Sequence, residues 1–114
     1  RDDVFWIDDP MTGTRLHVSA AAQTWGVRAE SLCGDRGRWL AHVHPDDHAA
    51  LRAAWDGLAR GQDFVLEYRW IGVDQREQRV RERGYLMPSP NGGPARAVGV
   101  IEDVTQRQQT LTAL

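Results

Sequence analysis

Residues 39–70 read WLAHVHPDDHAALRAAWDGLARGQDFVLEYRW, and the order of their signals decides the architecture. Pro45 suits the first turn of a helix, where its missing N–H leaves no bond unmade. Asp46 and Asp47 follow it and put negative charge at the positive end of the helix dipole. Leu51, Ala54, Trp55 and Leu58 recur at helical spacing and form one apolar stripe. Gly61 predicts a stop after about Arg60. Beyond it, Phe64, Leu66, Tyr68 and Trp70 alternate with Val65, Glu67, Arg69 and Ile71, the period of a strand whose first set faces a core. One long helix therefore runs, through a short turn, into one long strand.

Upstream, Val4-Phe5-Trp6-Ile7 is an apolar run closed by Asp8-Asp9-Pro10, a strand ended by a turn. Thr12-Gly13-Thr14 allows a hairpin, and Arg15-Leu16-His17-Val18 alternates as a second strand. Ser19 is placed to cap a short helix over 20–25 through its hydroxyl, with Gly26 as its stop. Residues 27–33 fit another short helical turn, closed by Gly34. Downstream, 77–87 forms a long strand in which Arg79, Arg81 and Arg83 alternate with Val80, Glu82 and Gly84. The Pro88–Pro94 segment breaks any ladder, and 95–103 is the last strand. Two strands, a run of helices and three strands in a meander predict an α+β fold with an antiparallel sheet. From Thr105 the chain turns polar and helix-tolerant, with Val104 and Leu111 one heptad apart. Residues 1–104 read as the domain and 105–114 as the start of a C-terminal helix.

Composition excludes several classes. A chain of 114 residues with 41% hydrophobic and 26% charged residues is one globular domain rather than a disordered segment. A formal net charge of −2 argues against nucleic-acid binding through phosphate contacts. Cys33 is the lone cysteine, which excludes an internal disulfide and a cysteine-based zinc site. No run approaches the ~18 apolar residues of a membrane span. The chain begins at Arg1 without a leader pattern and reads as part of a longer protein. Its 14 basic residues are all arginine, a composition that suits a GC-rich bacterial genome. His42 and His44 stand two apart near Asp46 and Asp47, too sparse for a metal site; His44 is read as fixing the helix entry. No nucleophile, phosphate or metal pattern marks an enzyme.

Taken together, several segments resemble the PAS family of sensory domains. Trp39 followed by His44-Pro45-Asp46-Asp47 is similar to the start of that family's long central helix. Glu67-Tyr68-Arg69 resembles its third strand, and Arg79-Val80-Arg81-Glu82-Arg83-Gly84 its fourth. Gly99-Val100-Ile101-Glu102-Asp103-Val104-Thr105 is similar to the closing strand with an Asp-x-Thr exit. The chain departs from the family pattern at Asp74-Gln75, where Asp-Gly is usual, at Arg79, where a Trp is common, and at Ser19, where an Asn is common.

The resemblance implies a five-stranded antiparallel sheet with short helices and one longer helix packed on one face, enclosing a cavity. Alternation puts Tyr68, Leu66 and Glu82 on the core side, together with Ala97, Gly99 and Ile101. Trp25, Leu51, Trp55, Leu66, Tyr68, Glu82 and Gly99 are thus the pocket candidates. A buried carboxylate is costly without a partner, so Glu82 needs a core-edge Arg or His, a local bulge, or a polar ligand. Gly99 either opens room beside the helix or relieves packing. Asp103 and Thr105 are the expected signal junction, where strand becomes exit helix. Val65, Arg69, Ile71, Arg81 and Tyr85 mark an outer sheet face for a second subunit. The function implied is sensing of a small ligand or partner and relay through the last strand to a C-terminal effector, a histidine kinase or a cyclic-dinucleotide enzyme. The alternative is a ligand-free module that dimerises. The domain itself is expected to be non-catalytic, cytoplasmic within a parent that can be membrane-anchored, and homodimeric, without nucleic-acid or direct membrane contact. No cofactor is expected. Haem would need an axial His on the central helix, and His48 lies off its apolar stripe. Flavin photochemistry in the family uses an Asn-Cys-Arg-Phe-Leu-Gln pattern, whereas Cys33 sits in Ser31-Leu32-Cys33-Gly34.

Overall fold

The computed structural model describes residues 3–89 and 91–114; Pro90, within the Pro88–Pro94 turn, lies outside them. Strands β1 (Val4–Asp8), β2 (Arg15–Val18), β3 (Phe64–Ile71), β4 (Glu77–Met87) and β5 (Arg96–Asp103) form one antiparallel sheet in the order β2-β1-β5-β4-β3. Between β2 and β3 the chain makes 3-10 turns at Ala20–Trp25, Ala29–Leu32 and Pro45–Asp47 and the helices α1 (Gly37–Leu40) and α2 (His48–Leu58). These pack on the sheet face that carries Trp6, Tyr68, Trp70, Val80, Ala97 and Ile101, and the core lies between. Helix α3 (Thr105–Ala113) leaves β5 with no buried residue.

The register of β2 departs from simple alternation. Ile7 pairs with His17 but Asp8 with Arg15, so Leu16 is an extra residue in the ladder. That bulge turns both Arg15 and Val18 inward and leaves Leu16 exposed.

Helix α2 is shorter than its sequence stripe predicts. Pro45–Asp47 is a 3-10 turn, the α-helix ends at Leu58 rather than Arg60, and Gly61 makes the stop with a φ of 77°. His44 does fix the entry, since its Nδ1 accepts from the Asp46 amide at 3.1 Å. Asp47 is not left to the helix dipole. Its carboxylate accepts from the Arg69 amide at 2.9 Å and from the Arg69 guanidinium at 3.0 and 2.9 Å. Arg69 holds that carboxyl below its usual range. The His44 amide donates to the Arg69 carbonyl and the Ile71 amide to the His42 carbonyl, at 2.9 and 2.7 Å. Residues 42–47 therefore cover the free edge of β3, which would otherwise present unpaired backbone groups. This corrects the placing of Arg69 on the outer face: as part of an edge strand, its side chain reaches sideways to Asp47. Ile71 is half-buried beside the same loop.

Two further expectations change. Ser19 makes no side-chain bond to the turn it precedes. Its hydroxyl instead accepts from the Phe5 amide at 2.9 Å, tying the turn to β1. At Asp74-Gln75, Gln75 adopts a φ of 66°, the left-handed conformation that the usual glycine takes without cost.

Gly99 does not open a cavity. A Cβ there would lie 2.1 Å from Trp6 Cε2, because the Trp6 indole takes that space. At Gly84 a Cβ would lie 2.3 Å from Phe64 Cε2, but Phe64 is only half-buried and its ring can swing outward. Gly99→Ala is expected to lower stability by roughly 1–3 kcal/mol through overpacking. Gly84→Ala should cost clearly less, and the urea midpoints of the two variants check the order.

Candidate functional site

The sheet face under α2 carries a network of polar side chains inside an aromatic core. From β4, Glu82 projects inward with no exposed surface. Its Oε2 accepts from the Trp55 indole N–H of α2 and its Oε1 from the Tyr68 hydroxyl of β3, both at 2.6 Å. The Tyr68 oxygen in turn accepts from the Trp39 indole N–H of α1 at 2.9 Å. A chain of donors thus runs from both helices into one carboxylate.

Arg15 and Asp8 lie in the same interior, at 1% and 2% exposure. Arg15 Nε and Nη2 donate to the two Asp8 oxygens at 2.8 and 3.2 Å, a bidentate pair. The guanidinium is sandwiched by aromatic faces, with Cζ 4.5 Å from the Trp6 ring centre and 4.8 Å from that of Trp55. Burial pushes the Glu82 and Asp8 carboxyls up from their usual values, opposed in both by the charge of Arg15. Burial, then the negative charge of Glu82, drives the Tyr68 hydroxyl well up. Arg15 Nη1 and Trp6 Nε1 are buried donors without a hydrogen-bond partner among the described residues.

The pocket candidates divide. Trp55, Tyr68 and Glu82 meet at this network. Gly99 lies under Trp6, and Leu51 and the half-buried Leu66 contribute apolar core. Trp25 packs elsewhere, its ring centre 5.5 Å from that of Trp70 and 6.2 Å from that of Trp39. Sequence reasoning assigned no core role to Arg15 or Asp8. Asp8 read as a turn residue, and the Arg15-Leu16-His17-Val18 alternation puts Arg15 opposite Val18, a reading the bulge at Leu16 reverses. A lone Arg opening a strand after an Asp-Asp turn is a faint signal that the sequence does contain.

A half-open cleft of about 220 Å³ borders the network, lined by Asp8, Met11, Gly13, Arg36, Trp55 and Asp56 among others. Arg36 Nη2 meets Asp56 there at 3.0 Å.

At the exit, Thr105 Oγ1 accepts from the Arg79 amide at 2.8 Å, and the Val104 amide donates to the Arg79 carbonyl at 2.8 Å. Asp103 accepts from the Thr105 amide at 2.8 Å and from the Gln78 side chain at 2.7 Å. Both junction candidates are therefore fastened to the start of β4.

On the outer face, Val65 and Tyr85 are exposed, and Arg81 Nη2 meets Glu67 at 3.1 Å. Phe5, Val100, Arg83 and Val65 stand in one row across four strands.

The histidines and the cysteine weighed as cofactor ligands have other partners. His48 Nε2 lies 2.8 Å from the Val43 carbonyl, His42 stacks on Trp70 at 4.9 Å, and the Cys33 thiol faces the Ala29 carbonyl at 3.8 Å. Among the described residues, no three His, Cys, Asp or Glu side chains are grouped to hold a metal. No helix among them is long and apolar enough to cross a membrane.

The family model of the PAS fold matches residues 15–101. This chain belongs to the PAS family. The PAS domain is similar to the N-terminal domain of a diguanylate cyclase with a PAS/PAC sensor from Marinobacter aquaeolei. The two are 16% identical, with a TM-score of 0.77, over 93% of this chain and 98% of that one. It is also similar to a sensory box histidine kinase/response regulator from Burkholderia thailandensis, at 27% identity and a TM-score of 0.70, over 98% of this chain and 84% of that one. A light-oxygen-voltage domain matches at 18% identity and a TM-score of 0.69, over 97% of this chain and 84% of that one. An uncharacterized protein, y4lL of Sinorhizobium fredii, is 26% identical over 96% of the chain, which spans only 13% of that relative's length.

Removing one member of a buried ion pair strands the other charge, at a cost of about 3–5 kcal/mol. Arg15→Met is therefore expected to destabilise the PAS domain by that order. Arg36→Met, which breaks a pair open to solvent, should cost under about 1 kcal/mol. Chemical denaturation of both variants measures the contrast.

Proposed function

We propose that this PAS domain is a relay and association module of a larger signalling protein, with an interior filled by its own side chains. The observation that carries this reading is the occupied core. Trp6 covers Gly99, while Arg15, Trp55, Tyr68 and Glu82 take the space between α2 and the sheet where a PAS ligand would be sought. The same crowding argues against a haem or a flavin, although a light-oxygen-voltage domain is among the similar structures. The output is read as the β5–α3 junction. Asp103 and Thr105 bind the first turn of α3 to Gln78 and Arg79, so a shift of β4 moves the exit helix. The effector is read as a histidine kinase or a diguanylate cyclase, the company kept by the similar structures. The domain itself supplies no catalysis, and its working site is the cytoplasm.

Association is assigned to a second copy of this chain on the outer sheet face. Phe5, Val65 and Tyr85 are 54%, 63% and 40% exposed there, among half-buried Ile7, Val98 and Val100. Apolar surface of that kind on a sheet favours pairing over solvation. A second reading, a small polar ligand inside the core, is favoured by Arg15 Nη1 and Trp6 Nε1, two of the four buried donors without a hydrogen-bond partner among the described residues.

Native mass spectrometry of the purified chain separates the readings. The bare polypeptide mass supports the filled core, and a retained small molecule overturns it. Sedimentation should show a dimer that Tyr85→Asp converts to monomer. A wild-type chain that stays monomeric removes the association role.

A further inference from the structure

The core holds two carboxylates and one guanidinium, all buried, so it carries one unbalanced negative charge when both acids are ionised. A medium of low dielectric resists such a charge, and taking up one proton removes it. The two acids are not equivalent. Asp8 accepts from both Nε and Nη2 of Arg15, contacts that favour its charged form against the cost of burial. Glu82 is held by neutral donors, the Trp55 indole and the Tyr68 hydroxyl. We propose that Asp8, Arg15 and Glu82 form an internal proton-binding site, in which Glu82 is the acid that gains and loses the proton and so sets how firmly α2 is held to the sheet.

Each neighbouring element brings one group toward Glu82. Strand β1 brings Asp8, β2 brings Arg15, and β3 brings Tyr68. Strand β5 brings uncharged Ile101, directly opposite Glu82 in the ladder. Helix α2 brings Trp55, while its Asp56 turns to Arg36. Arg36 acts on Asp8 from the segment before α1, and Trp39 of α1 reaches Glu82 through Tyr68. Arg15 is thus the sole buried cation in contact with the network among the described residues. The cleft lined by Asp8 and Trp55 brings solvent to the border of the network, while Glu82 itself lies behind them with no exposed surface.

The step is a simple proton transfer. A hydronium ion gives its proton to a Glu82 oxygen, an O–H bond forms, water is left behind, and the cluster loses its one unbalanced negative charge. The protonated oxygen is then a weaker acceptor for the Trp55 N–H or the Tyr68 O–H. Helix α2 is released from the sheet to that extent, and Ile101, in the strand leading to α3, lies next to the change.

The sign follows from linkage. Burial raises the folded-state value of Glu82 above the ordinary 4.5, so the folded chain binds this proton more tightly than the unfolded chain. The contribution is full below the unfolded value and is lost as pH rises through the folded value.

The proton site stands apart from association and relay, so its test reads the site directly. In the wild-type chain with ¹³C-labelled carboxyls, the Glu82 carboxyl carbon is expected to titrate with a midpoint above 4.5, with the Trp55 indole N–H resonance moving in step. Asp8→Asn leaves one acid per guanidinium and should lower that midpoint. Glu82→Gln should leave the Trp55 resonance still over the same range. A Glu82 midpoint at or below 4.5, an unchanged midpoint in Asp8→Asn, or a Trp55 transition that survives Glu82→Gln each overturns the proposal. Should Glu82→Gln fail to fold, the wild-type and Asp8→Asn titrations decide alone.

Discussion

The hydrogen bond from the Trp55 indole to Glu82 is the tie on which the helical layer depends. Helix α2 otherwise meets the sheet through apolar contacts, which are strong but do not fix direction. A buried carboxylate costs several kcal/mol unless its lone pairs are satisfied, so Glu82 dictates its surroundings. It must have donors, and Trp55 and Tyr68 supply them from the helix above and the neighbouring strand. Satisfied in this way, a polar network selects one packing among many apolar alternatives. Arg15 and Asp8 complete it from the other edge of the sheet, with the guanidinium over the rings of Trp6 and Trp55.

The sheet order makes that convergence possible. Strands β1 and β5 lie side by side at the centre, which brings the N-terminal hairpin within reach of β4. The bulge at Leu16 then turns Arg15 inward. Without the extra residue, Arg15 would share the solvent side with His17, and Asp8 would be an unpaired acid. A local irregularity of one residue thus determines the electrostatics of the whole core. The same β4 that carries Glu82 also carries Gln78 and Arg79, which fasten the Asp103–Thr105 exit. One strand joins the core network to the outgoing helix.

Much of this was legible in the sequence. The stripe through Leu51, Trp55 and Leu58 and the alternation from Phe64 to Trp70 are periodic over long stretches, and period is what burial enforces. Glu82 stood out because an acid fell on an apolar face. The failures have local causes. Alternation misreads Arg15 because a bulge has no period. Gly99 looked like space, but a glycine in a strand also marks where another group lies close, and here it is Trp6. Arg69 was assigned by its strand face alone, although an edge-strand side chain is free to reach sideways, as it does to Asp47. Ser19 was matched to the nearest helix start, yet its hydroxyl serves a strand brought close only by the tertiary fold. Pairings between distant segments are set by packing, and a single sequence carries them weakly.

The tie between helix and sheet is tested most directly by a double-mutant cycle on Trp55→Phe and Glu82→Gln, read by equilibrium denaturation at neutral pH. A hydrogen bond to this buried acceptor predicts a coupling of roughly 1–3 kcal/mol, with the upper part of that range belonging to the ionised carboxylate. Costs that add to within about 0.5 kcal/mol would mean that the two side chains act independently, and the account of a core pinned through Glu82 would be contradicted.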